Sequence, residues 1–214
     1  MAVKASGPDP SSNLRLRLLM QNAKAENMPK ENVERAIKRA TDKDSADYKE
    51  MIYEGYGPHG IAILVETATD NTNRTVASVR MYFNKYGGTL GTSGSVGFMF
   101  EHKCVFKFKP TAGADLEEME LEMIDFGVDE FYAEEGEVTV YAAYESFGQI
   151  QTWIEEKGYE LVSGESVRIP TDTKELTSEE REAVNKLIEH LEEDDDVTNV
   201  YTTMAESEED EAEE

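Results

Sequence analysis

Apolar positions recur at three- and four-residue spacing through the first forty residues, then change to strand-like alternation near position 50. Leu14, Leu18 and Leu19 mark a first helix, with Ser11, Ser12 or Asn13 as its cap, Pro10 just before it, and Arg15, Arg17 and Lys24 between the leucines. Asn27-Met28-Pro29 restarts the chain, and Pro29 suits a first helical turn because its missing N–H would be unpaired there anyway. Val33, Ala36, Ile37 and Ala40 then form an apolar stripe, while Lys30, Arg35, Lys38 and Arg39 point away from it. Asp42 to Asp47 reads as a polar linker.

Beyond the linker, Met51 to Tyr56 is short and aromatic, and Gly57-Pro58-His59-Gly60 makes a turn. Ile61 to Thr69 is β-branched and apolar, as a buried strand is. Asp70-Asn71-Thr72 offers caps for a helix carrying Val76, Val79, Phe83 and Tyr86. A glycine-rich loop follows, then a strand from Val96 to Phe108. Residues 115–165 read as helix, strand, strand, helix, strand, with Phe131 to Ala133 and Val138 to Tyr144 as a hairpin around Glu135-Gly136. Val167 to Leu176 is a further strand, and Ser178 to Glu193 is a helix with Ala183, Leu187, Ile188 and Leu191 on its apolar face. Val197 to Thr203 is the last strand.

This order predicts an insertion. The strand–helix–strand of 61–109 lacks a second half, which the strand–helix–strand of 166–204 supplies, to give a βαββαβ sheet with two helices on one face. The expected domains are 1–45, helical and incomplete; 46–110 with 166–204, α+β; 111–165, a small α+β insert; and 205–214, a disordered acidic tail without apolar pattern. The fold class is α+β.

Composition narrows the function classes. No apolar run approaches the roughly 20 residues that cross a bilayer, and Met1 to Pro10 holds no apolar core of a signal peptide, so no membrane partner is expected. A single cysteine, Cys104, excludes an intramolecular disulfide and fits a reducing compartment. The net charge is −25, unevenly spread. Residues 1–41 hold eight Lys or Arg against four acids, residues 42–110 eight of each, and residues 111–214 five bases against 34 acids. With a screening length of about 8 Å at physiological salt, the two ends are expected to act separately, and a polyanion should meet the first third of the chain.

Candidate chemistry is sparse. The loop Gly87, Gly88, Gly91, Thr92, Ser93 and Gly94 could cradle a phosphate with backbone N–H groups, or serve as a helix C-cap and connection. No Gly-Lys-Ser/Thr follows it, and it runs from helix into strand, opposite to a dinucleotide fingerprint. His59, His102 and His190 stand far apart, and His102-x-Cys104 has no second ligand pair, so no metal site and no cofactor are expected. No Gly-x-Ser-x-Gly elbow occurs, and among 46 acids no catalytic pair stands out, so no catalytic residue is assigned. Arg15, Arg17, Lys24, Lys30, Arg35, Lys38 and Arg39 are candidate phosphate contacts, extended by Arg74 and Arg80 with Lys85. The alternative is a solvated helix face with pairs such as Glu31–Arg35 and Glu34–Lys38.

Four segments carry a resemblance. Asn27-Met28-Pro29-Lys30-Glu31-Asn32-Val33-Glu34-Arg35-Ala36-Ile37, Tyr53-Glu54-Gly55-Tyr56-Gly57-Pro58, Thr69-Asp70-Asn71-Thr72-Asn73-Arg74-Thr75 and the run from Gly87 to Val96 are similar to YebC-family motifs, in the same order. That family includes a mitochondrial translational activator. The resemblance implies a three-domain α+β protein: a helical N-terminal domain and two ferredoxin-like-type α/β domains, one inserted in the other. It also implies a non-catalytic regulator of gene expression without a cofactor. The basic Gly-His-Ser-Lys-Trp-like opening usual in the family has no counterpart here, so the likeness is to an N-terminally shortened member. The expected partner is the ribosome and its RNA, met by the basic helices in the bacterial cytosol rather than the mitochondrial matrix. DNA, bound by a transcriptional regulator, is the alternative.

Overall fold

The structure is a computed structural model that describes residues 1–42 and 44–206. Two compact units divide the described residues: 1–45 with 102–167, and 46–101 with 168–206. The expected acidic tail lies outside the described residues from position 207 onward.

The first unit carries three N-terminal helices, α1 (Ala2–Ser6), α2 (Leu14–Ala25) and α3 (Lys30–Thr41). It also holds the succession β4 (Phe100–Lys109), α5 (Leu116–Ile124), β5 (Val128–Glu134), β6 (Glu137–Ala143), α6 (Phe147–Glu156) and β7 (Glu160–Pro170), except that the first two residues of β4 and the last three of β7 fall in the second unit. These strands form one sheet in the order β5-β6-β4-β7. Alternation on β4 turns Cys104, Phe106 and Phe108 inward. They meet Val138, Val140 and Ala142 of β6, Met119 and Met123 of α5, and Ile150, Trp153 and Ile154 of α6. Glu135 (φ 51°) and Gly136 (φ 85°) make the two-residue hairpin turn, where positive φ at both positions matches the strands' twist.

The second unit is built on β1 (Lys49–Tyr56), β2 (Ala62–Thr69), α4 (Thr72–Lys85), β3 (Thr89–Leu90), α7 (Ser178–Glu192) and β8 (Val197–Thr202), with strand order β3-β1-β2-β8. Ile61, Ile63 and Val65 cluster with Val79 and Phe83 of α4 and Val184, Leu187 and Leu191 of α7. The intervening residues Ala62 and Leu64 face the other way, onto Val96 and Phe100.

The βαββαβ succession is present, but in different residues from those expected. It is the contiguous run β4-α5-β5-β6-α6-β7, and β4 pairs with β6 rather than joining the sheet of β2. The second unit completes its sheet with β1 and the two-residue β3. One sheet module is therefore set inside the other in sequence, and the joins fall near 101 and 168, not at 110 and 166. The two strands expected around residues 160 and 170 are one, β7, which ends at Pro170, where the ladder loses a donor. The N-terminal helices fall in the same compact unit as 102–167.

Candidate nucleic-acid interface

The basic helices are held together by one asparagine. Asn13, 2% exposed, caps α2 by accepting from the Leu16 amide at 3.0 Å. Its amide group donates to the Ala2 and Gly7 carbonyls at 2.9 and 2.8 Å, which fixes α1 against α2. The buried leucines of α2 are Leu16 and Leu18, whereas Leu14 and Leu19 are exposed. Leu16 packs with Ala2, Val3, Met20, Ile37 and Ala40, while Leu18 enters the sheet core beside Phe106. Asn22 reinforces this docking by exchanging hydrogen bonds with the Gly164 backbone at 2.8 and 3.0 Å. Gly164 is required there, because a Cβ would lie 2.5 Å from the Phe106 ring and 2.9 Å from Leu18.

Helix α3 buries no residue; it rests on its neighbours through Ile37 and Ala40. Pro29 occupies the N-cap position rather than the first turn, and no side chain caps the helix. Lys30 pairs with Glu34 at 3.4 Å on the surface, a contact of little energetic weight. Arg35 donates to the Asn32 side chain at 2.7 Å. Arg35, Lys38 and Arg39 are exposed and fall within five residues that contain no acid. Lys38 and Arg39 lie in the last turn, where cations also favour the helix dipole.

The remaining candidates disperse. Arg15 and Lys24 are exposed on α2. Arg17 is engaged by Glu155 of α6 at 3.2 Å, well inside the screening length of about 8 Å. The basic front and the acidic middle of the sequence therefore share one body and interact directly, contrary to the separation expected from charge counts. Arg80 is exposed on α4 in the second unit. Arg74, also on α4, is a structural cation: it reaches Asp196 at 2.7 Å and Asp70 at 2.9 Å. Hydrogen bonds from Arg74, outweighing burial, hold the Asp196 carboxyl below the usual range. Arg74 lies at the edge of a cleft of about 580 Å³ lined by Tyr48, Asp70, Ser78, Tyr82 and Glu193 to Asp196, a wall that repels phosphate.

The glycine loop resolves into two devices. Its start is a helix ending: Gly87 has φ 77°, and the Gly88 amide returns to the Phe83 carbonyl at 2.7 Å. Its end is a cradle of amides already holding an anion. The amides of Gly94, Val96 and Gly97 donate to the Glu54 carboxylate at 2.7, 2.8 and 2.6 Å. Burial opposes ionisation of Glu54, which is 7% exposed, but the three amides outweigh it and leave the group below its ordinary range. These amides therefore serve an internal carboxylate, not an external phosphate. Sequence reasoning passed over Glu54, which as a charged residue in a strand reads as solvent-facing.

Other reactive groups are absorbed by packing. His102 stacks on Tyr144 at 3.9 Å and lies 2.7 Å from the Ser166 hydroxyl. Burial pushes the Cys104 thiol up to about 11. Among the described residues no three His, Cys, Asp or Glu side chains gather as they would around a metal ion. Among the same residues no helix is long and apolar enough to cross a membrane.

Fold and charge define an α+β protein with an exposed cationic helix near its front and two sheet modules, one set inside the other. The chain belongs to the YebC family. Residues 1–43 match the TACO1/YebC protein N-terminal domain, and residues 48–204 match the TACO1/YebC second and third domain. It is 61% identical over 208 residues to a "probable transcriptional regulatory protein" of Porphyromonas gingivalis, covering 97% of this chain and 86% of that one. A protein of the same description from Parabacteroides distasonis is 61% identical over 211 residues, covering 99% and 87%. Among solved structures, a conserved hypothetical protein from Aquifex aeolicus, Aq1575, superposes with a TM-score of 0.73 at 35% identity, covering 96% of this chain and 85% of its own.

Proposed function

We propose that the protein is a non-catalytic regulator of gene expression that acts in translation in the bacterial cytosol, associating with ribosomal RNA through the basic face of α3. The observation that carries this reading is the exposed cluster Arg35, Lys38 and Arg39 toward the end of a helix with no buried residue. Such a cluster contacts phosphates by position and charge, which suits structured RNA read by shape and backbone.

A second reading, DNA binding by a transcriptional regulator, is favoured by the names of the relatives and by the short turn between α2 and α3. Groove-reading helices place their base contacts in the first turns. Here those turns carry Glu31 and Glu34, and the cations crowd the far end, so RNA is preferred.

The test is cosedimentation with ribosomes across a salt series, comparing the wild-type chain with a variant in which Arg35, Lys38 and Arg39 are replaced by glutamine. The variant should bind more weakly, with a log–log salt slope shallower by about 0.7–0.9 for each phosphate it no longer neutralises. Unchanged binding and slope would refute the role of α3. A promoter fragment bound far more tightly than random DNA, without ribosome association, would favour the second reading.

A further inference from the structure

Helix α5 turns Met119 and Met123, four residues apart, into the core of the first unit. At about 100° per residue, Leu121 points directly away from that stripe, and it is 66% exposed. Ile124, one turn further along on the same outer side, is 58% exposed. A helix packed on a sheet needs a single apolar stripe. Leu121 and Ile124 form a second one, and neither belongs to a hydrophobic cluster of the described residues. Adjoining apolar side chains left this open mark a binding surface, as scattered single ones do not.

Charge selects the occupant. Helix geometry sets residues three and four apart side by side, so Leu121 is bordered by Glu117, Glu118 and Asp125, and Ile124 by Glu120, all of them exposed. Around them, from Pro110 to Glu156, the chain holds 14 Asp or Glu and no Lys, Arg or His. On another side of the same helix the protein shows which group such a surface accepts. Lys157 reaches Glu122 at 2.7 Å and lies 5.3 Å from the centre of the Trp153 ring. Nucleic acid and anionic membrane surfaces are repelled by a face of this sign. A second copy is disfavoured as well, because a two-fold contact sets one patch on itself and would bring Glu117, Glu120 and Asp125 against carboxylates. A cationic protein segment with apolar side chains satisfies both the charge and the exposed pair.

We propose that the outer face of α5 docks a Lys- and Arg-rich protein segment that carries apolar side chains. Leu121 and Ile124 receive the apolar groups at the centre, and the carboxylates of Glu117, Glu118, Glu120 and Asp125 meet the cations at the rim, the usual arrangement of an interface. This goes beyond the RNA contact proposed for α3 and does not depend on it.

The test titrates the full chain into a labelled peptide of lysines with leucines at i, i+3, i+4 and i+7, and into oligolysine, following fluorescence anisotropy at low and physiological salt. The amphipathic peptide should bind and oligolysine much more weakly. Leu121→Ser combined with Ile124→Ser should weaken peptide binding about 10- to 100-fold, while the urea midpoint stays at the wild-type value because both positions are exposed. Glu117→Gln combined with Glu120→Gln should flatten the salt dependence of binding. If the peptide does not bind, if oligolysine binds as tightly, or if the serine pair changes nothing, α5 is not a docking face and the proposal is wrong. If the wild-type chain sediments as a dimer and the serine pair as a monomer, the face joins two copies, and the cationic partner is wrong.

Discussion

Replacing Glu54 by alanine isolates the device that shapes the glycine loop. The side chain accepts three amide hydrogen bonds, from residues 40, 42 and 43 positions further along the chain, and one of the three is buried. Hydrogen bonds to charged groups contribute about 1.5–3 kcal/mol each. The buried Val96 amide should be felt at full value, and the two part-buried amides less, since water can reach them. The expected loss is about 3 kcal/mol at pH 7, or a midpoint lower by about 6–12 °C for a chain of this size. Glu54→Gln should cost less, since it keeps one acceptor oxygen. The pH dependence has a definite sign. The folded carboxyl lies below its ordinary value, so its contribution is complete above the unfolded pKa of about 4.3 and is lost as pH falls through the folded value. The gap between wild type and Glu54→Ala should therefore close in acid. Urea unfolding across pH, with hydrogen exchange at Gly94, Val96 and Gly97, checks both points. A variant within about 0.5 kcal/mol of wild type at pH 7, the ordinary range for a surface change, with unchanged exchange at those amides, would refute the clamp.

Two further outcomes are expected. Gly164→Ala places a methyl 2.5 Å from the Phe106 ring and 2.9 Å from Leu18, and should destabilise by about 1–3 kcal/mol in denaturant unfolding as an overpacked core does. Cys104 is 0% exposed with its thiol pushed up to about 11, so a thiol reagent at pH 8 should react only in step with urea-induced unfolding.

Much of this was legible in the residues, and what was not had physical causes. The helices declared themselves through periodicity, the cap at Asn71 through its residue type, and the hairpin at Glu135-Gly136 through its turn chemistry. The partner of β4 did not, because Cys104, Phe106 and Phe108 alternate equally well whichever sheet receives them. Chain proximity pointed to β2, whereas β6 takes the strand. The unbroken β7 was hidden because the expected domain boundary at 165–166 cuts a strand that runs from Glu160 to Pro170. For α2, Leu14 and Leu19 match helical spacing as well as Leu16 does, and only the presence of two cores decides which leucines turn inward. Counting charge by segment suggested a separable basic end, yet Arg17 and Glu155 lie far apart in sequence and 3.2 Å apart in space. Glu54 stood within the Tyr53–Pro58 motif with no sign of its role, which comes from the three amides that the fold sets beside it.

Leu18 has a practical bearing on how the cationic helices can be studied. Its side chain is a plug seated in the aromatic interior of the neighbouring sheet. Cutting away the first two or three helices would uncork that interior and leave Phe106 facing water. A shortened chain would lose binding by unravelling as readily as by losing its arginines, so the contribution of the basic face is measurable only by changing charges on an intact scaffold.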